Sequence, residues 1–373
     1  MILPGATLGM LGGGQLGRFF TIAARQMGYR VAVLDADPDS PAGALADRHL
    51  RAGYDDEQAL ERLASECSVV TTEFENVPAS TLAFLAERVA VHPSASAVAV
   101  TQNRLREKQF VNQVGAATAR FAAVRGTDDF EAAGEAVDFP AILKTAELGY
   151  DGKGQAVVDS AADLPSAFAD LGGVECVLEE RVALRRELSV VVARDARGQR
   201  SSFPVAENEH RNGILHRSVA PAGCPPVVAE EARFTAGRIA DALDYVGVMA
   251  VEFFETEDSR LLVNEIAPRT HNSGHYSLDA CVTSQFEQQL RMICGLAHGD
   301  TRLLSPVVML NLLGDLWRGG DPDFGRLLSE PALKLHLYGK REARPGRKMG
   351  HFNLLGDDAE ALAEQAEALF EAL

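Results

Sequence analysis

The chain has 373 residues, 46% of them hydrophobic and 24% charged, which is typical of a globular protein and allows two or three domains. Its formal net charge of −17 argues against non-specific nucleic-acid binding, which depends on lysine and arginine to neutralise phosphates. A local basic cluster can still bind a small anionic substrate despite the acidic whole.

Cysteine usage and hydropathy narrow the class further. The five cysteines are widely separated and include no Cys-x-x-Cys pair, which argues against a disulfide framework or a zinc ribbon. No apolar run reaches the about 18 residues needed to cross a bilayer, and no basic leader precedes the first apolar segment. We therefore expect a soluble cytoplasmic protein without membrane or nucleic-acid partners.

The first hundred residues predict an α/β domain with an open parallel sheet. Short apolar runs alternate with segments of helical periodicity, as in βαβ units. The expected strands are 6–11, 30–35, 68–73 and a short one before Pro93, and the expected helices are 19–29 and 78–89.

The remainder of the chain predicts three further units. We expect a linking helix and a small α+β lid in 101–182, a strand-rich unit in 183–300, and a C-terminal region in 301–373 that completes the substrate site. The long strands expected in the second of these units are 187–195, 200–207, 246–255 and 260–268.

A glycine motif follows the first predicted strand. Gly12 to Gly17 matches G-x-G-x-x-G, and Asp35 closes the next strand, as in a dinucleotide-binding fingerprint. Such glycines let backbone N–H groups approach an anion at a helix N-terminus. Two other interpretations remain open, namely a tight strand-to-helix turn and a site for a different phosphorylated ligand.

A lysine and a second glycine-rich segment suggest a nucleotide site in the middle of the chain. Lys144 lies on a strand that is otherwise apolar, where a cation is costly unless it meets an anion such as an ATP phosphate. The loop 149–155 (GYDGKGQ) has three glycines, which allow it to close over phosphates and present N–H donors. The alternatives are a salt bridge for the lysine and a non-functional hairpin for the loop.

Carboxylates on two later strands suggest a metal site. Glu252 and Glu265 both interrupt apolar runs, and Asn264 precedes the second of them. These hard oxygen donors suit Mg²⁺, which favours carboxylates together with phosphate oxygens and water. The alternative is a set of paired structural carboxylates.

The polar loop after the second of these strands adds two reactive groups. Arg269 can hold an anion through two hydrogen bonds, and His271 can donate, accept or move a proton. A lone histidine is more often structural, but here several polar side chains occur within a few residues beside the predicted metal site.

The order of these motifs resembles that of the ATP-grasp superfamily, and within it the N5-carboxyaminoimidazole ribonucleotide synthase family of purine biosynthesis. The resemblance covers nearly the whole chain, and its most specific parts are GYDGKGQ and NEIAPRTHNSGH. The segments that carry it are 11–19 (LGGGQLGRF), 71–77 (TTEFENV), 102–108 (QNRLREK), 144, 149–155, 179–182 (EERV), 249–254 (MAVEFF), 264–275 and 346–356 (GRKMGHFNLLG).

The resemblance implies an ATP-grasp fold with an N-terminal Rossmann-like domain, and it implies roles for particular residues. The ATP site would comprise Arg104, Lys144, Gly149, Gly152, Gly154, Gln155, Glu179, Glu180, Val182, Glu187, His210, Asn264 and Glu265, with Glu252 and Glu265 holding Mg²⁺. The ribonucleotide would contact Gln15, Leu16, Glu73, Asn76, Arg269, His271, Arg347 and Lys348. The catalytic residues would be Tyr150, Asp151, Lys153, Arg269 and His271.

The implied reaction joins bicarbonate to aminoimidazole ribonucleotide at the expense of ATP, in a cytoplasmic homodimer. Three alternatives stay open: a formate-dependent glycinamide ribonucleotide transformylase of the same superfamily, an NAD(P)-dependent oxidoreductase using the N-terminal glycines, and a nucleotide-binding regulator without activity. A biotin-carboxylase-like enzyme fits less well, because no biotin-carrier segment is apparent.

Overall fold

The structure is a computed structural model that describes residues 1–149 and 154–373. Its N-terminal part is a five-stranded parallel sheet in the order β3-β2-β1-β4-β5. The elements are β1 (Thr7–Leu11), α1 (Gln15–Gln26), β2 (Arg30–Leu34), β3 (Arg48–Leu50), α2 (Glu57–Glu66), β4 (Val69–Thr72), α3 (Ala79–Ala86), β5 (Ala90–Val91) and α4 (Ala95–Thr101).

The glycine motif begins at the carboxyl end of β1, in the middle of the parallel sheet. The central strands of this sheet contribute buried apolar side chains to cores on both faces, as expected when helices cover both sides of a parallel sheet. β1 is followed directly by Gly12, whose φ of +99° is a left-handed conformation that favours glycine.

A second, four-stranded antiparallel sheet follows a linking helix and has the order β6-β9-β7-β8. Asn103 caps the linking helix by accepting from the N–H groups of Leu105 and Arg106. The elements are α5 (Arg104–Gln113), β6 (Phe121–Val124), α6 (Phe130–Ala136), β7 (Ala141–Thr145), β8 (Gln155–Val158), α7 (Leu164–Asp170) and β9 (Cys176–Glu180).

The third sheet is the largest, with β11 added to a path of strands in the order β15-β14-β10-β12-β13-β16-β18-β17. Its neighbours pair antiparallel. The elements are β10 (Leu184–Arg194), β11 (Arg200–Ser202), β12 (Ala206–Arg211), β13 (Ile214–Ala220), α8 (Pro226–Ala242), β14 (Gly247–Thr256), β15 (Leu261–Ala267), α9 (Ser277–Ala280), α10 (Gln285–Ile293), β16 (Val307–Leu313), α11 (Phe324–Leu328), β17 (Leu333–Leu337), β18 (Lys348–Leu355) and α12 (Ala359–Glu371).

The large sheet continues through the C-terminal region, since β16 pairs with β13 and with β18. Helix α8 packs against β10 and β14, and α12 covers β16. Helix α10 in turn contributes Leu290 and Ile293 to the core around the N-terminal sheet. The domain division at residues 100, 182 and 300 stays a prediction.

Most predicted elements are present, but one strand is wrong. The segment 200–207 forms two strands, β11 and β12, which are separated at Phe203–Val205. Pro204 lies in the break, and proline has no N–H to donate to a neighbouring strand. All five cysteines are free thiols, and within the described ranges no helix is long and apolar enough to cross a membrane.

Candidate functional site

One cleft of about 1530 Å³ brings together the three sheets. It is lined by these residues from the sequence-based set: Gln15, Leu16, Glu73, Asn76, Arg104, Lys144, Gly149, Gln155, Glu179, Glu180, Val182, Glu187, His210, Glu252, Asn264, Glu265, Arg269, His271, Arg347 and Lys348.

The remaining predicted residues belong to the glycine-rich loop. Gly154 does not line the cleft; its carbonyl accepts a hydrogen bond of 2.8 Å from the N–H of Thr145, and its φ is +70°. Tyr150, Asp151, Gly152 and Lys153 lie outside the described residues. The roles of all these residues stay predictions.

A buried charge cluster lies on the side of the cleft formed by the four-stranded sheet. Lys144 on β7 and Lys108 on α5 both contact Glu179 Oε2, at 2.9 Å and 3.3 Å. Burial opposes the charged form of Glu179, but the two lysines outweigh it and lower its pKa to about 2. Burial in turn lowers the pKa of Lys144. The salt-bridge alternative for Lys144 is thus realised, with a partner that itself lines the cleft.

A pair of carboxylates faces this cluster from the large sheet. Glu252 on β14 and Glu265 on β15 are register partners, so their side chains share one part of the cleft. Burial and the charge of Glu265 raise the pKa of Glu252 to about 7. Arg104 Nη1 contacts Glu265 Oε2 at 3.3 Å, and its charge lowers the pKa of Glu265 against the effect of burial.

The donor set of this pair fits a divalent cation that is bound together with a ligand. The buried Glu252 and the partly exposed Glu265 repel each other, and a cation between them would relieve that repulsion. Over residues 1–149 and 154–373, no group of three or more His, Cys, Asp and Glu side chains converges to hold a metal by itself. The pair therefore suits Mg²⁺, which completes its shell with phosphate oxygens and water.

The polar loop after β15 contributes Arg269 and His271. The guanidinium of Arg269 pairs with Glu75 and also donates to the carbonyl of Thr270 at 3.1 Å. His271 Nε2 lies 3.4 Å from Glu252 Oε1, and its Nδ1 lies 2.8 Å from Ser273 Oγ. Burial and neighbouring cations hold the pKa of His271 well below its usual value, so the imidazole is neutral near pH 7.

A second histidine lies on the wall of the cleft formed by the large sheet. His210 Nδ1 on β12 is 2.6 Å from Glu187 Oε2 on β10. Burial opposes protonation of this imidazole, but Glu187 and the more distant Glu252 raise its pKa. The two histidines of the cleft are thus biased to opposite protonation states.

Basic side chains from the C-terminal region also line the cleft. Arg347 and Lys348 were predicted from the sequence, whereas Lys340 and Arg344 were not. Lys340 Nζ donates to the carbonyl of Lys348 at 2.8 Å, so it also supports the start of β18. Its position in the basic run from Lys340 to Lys348 was the available signal.

The glycine motif at the end of β1 is occupied by side chains of the protein itself. Gly13 N–H donates to Asp35 Oδ2 at 2.7 Å, and Gly17 N–H donates to Glu73 Oε2 at 2.8 Å. Gly14 N–H donates to the other oxygen of Glu73. A dinucleotide phosphate would need these donors, so the structure favours the interpretation of a tight turn.

Models of three protein families match successive parts of the chain. The ribonucleotide synthetase preATP-grasp domain matches residues 5–102, and the ATP-grasp domain matches residues 109–286. The phosphoribosylaminoimidazole carboxylase C-terminal domain matches residues 307–365.

Two curated relatives that match nearly the full length of this chain carry the same name. N5-carboxyaminoimidazole ribonucleotide synthase of Bacillus subtilis is 44% identical over 95% of this chain and 93% of its own. The Pseudomonas aeruginosa protein of that name is 42% identical over 98% of this chain and 99% of its own.

Solved structures agree with the sequence comparison. The Staphylococcus aureus N5-carboxyaminoimidazole synthetase with ADP has a TM-score of 0.93 and 39% identity, covering 99% of this chain and 98% of that one. The Aspergillus clavatus synthase with ADP and 5-aminoimidazole ribonucleotide has a TM-score of 0.91 and 31% identity, covering 98% of each chain. The chain therefore belongs to the N5-carboxyaminoimidazole ribonucleotide synthase family of ATP-grasp ligases.

Proposed function

We propose that this protein carboxylates 5-aminoimidazole ribonucleotide with ATP and bicarbonate, giving N5-carboxyaminoimidazole ribonucleotide, ADP and phosphate in purine biosynthesis. The observation that carries the proposal is the single cleft, in which the Lys144–Glu179 pair, the Glu252–Glu265 pair and the basic C-terminal side chains meet. Its charges match a nucleoside triphosphate with a cation, together with a phosphorylated substrate.

ATP would bind between the four-stranded sheet and the large sheet. The ammonium of Lys144 would contact phosphate oxygens. The segment after β9, which includes the half-buried Val182, would hold the base. The Glu187–His210 pair lies on the opposite wall and is suited to the ribose or the phosphates. Phosphoryl transfer depends mainly on such positioning and charge neutralisation.

Glu252 and Glu265 would hold Mg²⁺ beside the phosphates. When bound, this ion neutralises the charge that develops on the transferring phosphoryl group. Arg104 contacts the Glu265 carboxylate at 3.3 Å and would orient it toward the ion.

The ribonucleotide would bind between the end of β1 and the C-terminal basic residues. Arg347 and Lys348 would hold its 5′-phosphate, while Gln15, Leu16 and Asn76 would line the pocket for its ribose and ring. Glu73 accepts a hydrogen bond from the glycine motif, so it would position that loop beside the substrate.

In the proposed chemistry, an oxygen of bicarbonate attacks the γ-phosphorus of ATP, and the bond from that phosphorus to the leaving ADP oxygen breaks. The product is carboxyphosphate. The exocyclic amine of the ribonucleotide then attacks the carboxyl carbon, or CO₂ released from it, with loss of phosphate and of a proton from nitrogen. Arg269 would hold the anionic intermediate close to the amine. This proximity would make capture of the carboxyl group by the amine efficient.

The loop 149–155 would exclude water from carboxyphosphate, with Tyr150, Asp151 and Lys153 contacting substrate or intermediate. His271, whose imidazole is neutral near pH 7, would be suited to accept a hydrogen bond in this step. We also propose that the protein is a cytoplasmic homodimer; a monomer mass in solution at working concentration would contradict the dimer.

The test measures ADP release with Mg-ATP, 5-aminoimidazole ribonucleotide and bicarbonate, each omitted in turn. A parallel reaction replaces the last two with glycinamide ribonucleotide and formate, and NAD(P)H binding is followed by fluorescence. The proposal expects ADP release that requires the first pair. Release that requires the second pair, a dinucleotide signal without ATPase activity, or ATP binding without turnover would each contradict it.

A further inference from the structure

Helix α5 directs three charged side chains to partners on two strands, β15 and β9. Arg104 contacts Glu265 on β15, and Glu107 accepts a hydrogen bond of 2.6 Å from the N–H of Ile266. Lys108 contacts Glu179 on β9 at 3.3 Å. Because residues three and four apart share one face of a helix, this face connects the four-stranded sheet to the metal-type carboxylates.

Lys108 differs from the other cations of the site in its exposure. Its side chain is 2% exposed and it is not among the residues that line the cleft. Lys144, in contrast, lines the cleft and is 13% exposed. A ligand in the cleft can therefore meet Lys144 while Lys108 stays covered.

The two lysines share a single oxygen of one carboxylate. Both contact Glu179 Oε2, whereas Glu179 Oε1 has no hydrogen-bond partner among the described residues. Glu179 is itself 3% exposed at its side chain. A carboxylate so deeply buried is unfavourable unless a cation remains beside it.

This arrangement resolves a conflict within the nucleotide site. If Lys144 were the sole counter-ion of Glu179, a contact between Lys144 and a phosphate would weaken the neutralisation of a buried carboxylate. The cost of that change would oppose nucleotide binding. The second lysine removes this cost because it stays paired with Glu179.

We propose that Lys108 is a positioning residue for ATP binding, which neutralises Glu179 so that the Lys144 ammonium can move from Glu179 to the phosphates of ATP. The inference rests on the proposed function in that the nucleotide is ATP. Lys108 acts through Glu179 and Lys144 and does not touch the reacting atoms.

The experiment is a double-mutant cycle between Lys108→Met and Glu179→Gln, with ATP affinity measured by equilibrium dialysis and ATP KM and kcat by ADP release. Lys108→Met is expected to raise the Kd and KM for ATP by about 10- to 100-fold, with kcat at saturating ATP changed less than about 3-fold. Lys108→Arg should restore most of the affinity, and Lys334→Met, an exposed lysine on β17, should behave as wild type.

In the Glu179→Gln background position 179 carries no carboxylate for Lys108 to neutralise, while Glu107, on which the charge of Lys108 also acts, is present in every arm of the cycle. Adding Lys108→Met there should change ATP affinity by less than about 3-fold. A loss of 10-fold or more that persists in that background would overturn the proposal, since it would mean that Lys108 contacts the nucleotide directly. Wild-type affinity in Lys108→Met would overturn it as well.

The double variant also covers the case in which Lys108→Met alone does not fold. Its neutral side chains leave no unpaired charge at positions 108 and 179, and Lys144, which loses Glu179 as a partner, lines the cleft. The affinity of the double variant against Glu179→Gln alone still separates the two roles. Failure of the proposed function has a different signature. Wild-type protein that binds ATP without turnover contradicts the carboxylation but leaves the affinity cycle readable, whereas wild-type protein that binds no ATP contradicts both.

Discussion

Two polar regions of this molecule carry nucleotide-type signals, and they differ in what satisfies them. At the end of β1, the N–H groups of Gly13, Gly14 and Gly17 donate to carboxylates of Asp35 and Glu73. The glycine motif is thus closed by the protein itself.

The downstream cleft is arranged in the opposite way. Glu252 and Glu265 lie side by side with one pKa raised to about 7 by burial and mutual repulsion, and Glu179 keeps an oxygen without a partner among the described residues. The repulsion between Glu252 and Glu265 is relieved only when a cation arrives. A motif alone therefore does not identify a site; what matters is whether its donors and charges remain available.

The largest expected effect tests the downstream cleft, which we call the open region because it can accept a ligand. Glu265→Gln removes one of the two facing carboxylates, and we expect ADP release to fall about 10³-fold or more because both cation binding and transition-state neutralisation are lost. The measurement is substrate-dependent ADP release over a range of Mg²⁺ concentrations. Glu230→Gln, an exposed change on α8, serves as the matched control. Near-normal ADP release from the Glu265 variant would mean that the carboxylate pair does not hold a catalytic cation.

Much of the fold could be predicted because its signals are local. The parallel strands and their helices follow from hydrophobic periodicity, and β14 and β15 follow from long apolar runs. β13 was missed because its sequence, ILHRSVA, carries a buried histidine. His216 is satisfied by Glu367 on α12 at 3.0 Å, a contact between distant parts of the chain that no local pattern shows.

The site residues were predicted where a charge interrupts an apolar strand, as at Lys144 and Glu252. Glu107 and Lys108 were missed because charged residues in a helix such as α5 usually face solvent. Their burial follows from partners on strands folded over that helix, and Glu107 contacts a residue 159 positions away along the chain. Only the tertiary structure turns this ordinary helical sequence into part of the site.

The second prediction concerns the substrate end of the open region. Arg347→Ala and Lys348→Ala should each raise the KM for the ribonucleotide by about 10- to 100-fold while kcat changes less, because they bind a phosphate remote from the reacting atoms. Steady-state kinetics with varied ribonucleotide provides the measurement. Arg302→Ala removes an exposed arginine paired with Asp300 and should have no effect. An unchanged KM in both variants would refute the phosphate role.

The third prediction addresses the closed region. Glu73→Gln replaces one of two acceptor oxygens with an N–H donor that faces a backbone N–H, and we expect the free energy of unfolding to fall by about 1–2 kcal/mol. Urea unfolding monitored by circular dichroism measures this loss. Glu61→Gln, at a side chain 62% exposed, should stay within about 0.5 kcal/mol of wild type. If Glu73→Gln unfolds like wild type, the glycine motif is not held by this carboxylate.

A histidine cluster extends the comparison, because it is polar and buried like the glycine motif, while His351 Nε2 has no hydrogen-bond partner among the described residues. His351 is fully buried, lies 2.9 Å from Tyr338 Oη through Nδ1, and stacks on His336 with ring centroids 4.7 Å apart. Burial, followed by the charges of His275 and His336, holds the pKa of His351 well below its usual value.

The smallest expected effect follows from this shift. An imidazole with a lowered pKa stays neutral in the fold but takes up a proton on unfolding below about pH 6.5, so its stabilising contribution is present above that pH and is lost as the pH falls. Relative to the non-titrating His351→Gln variant, wild type should therefore lose up to about 1.4 kcal/mol of unfolding free energy per pH unit below about 6.5. Urea unfolding of both proteins between pH 7.5 and 5.0 measures the gap, and the pairwise difference cancels the titration of every other group that the substitution leaves unchanged. A gap that is constant with pH would show that the pKa of His351 is the same in the folded and the unfolded protein, so that burial does not keep this imidazole neutral.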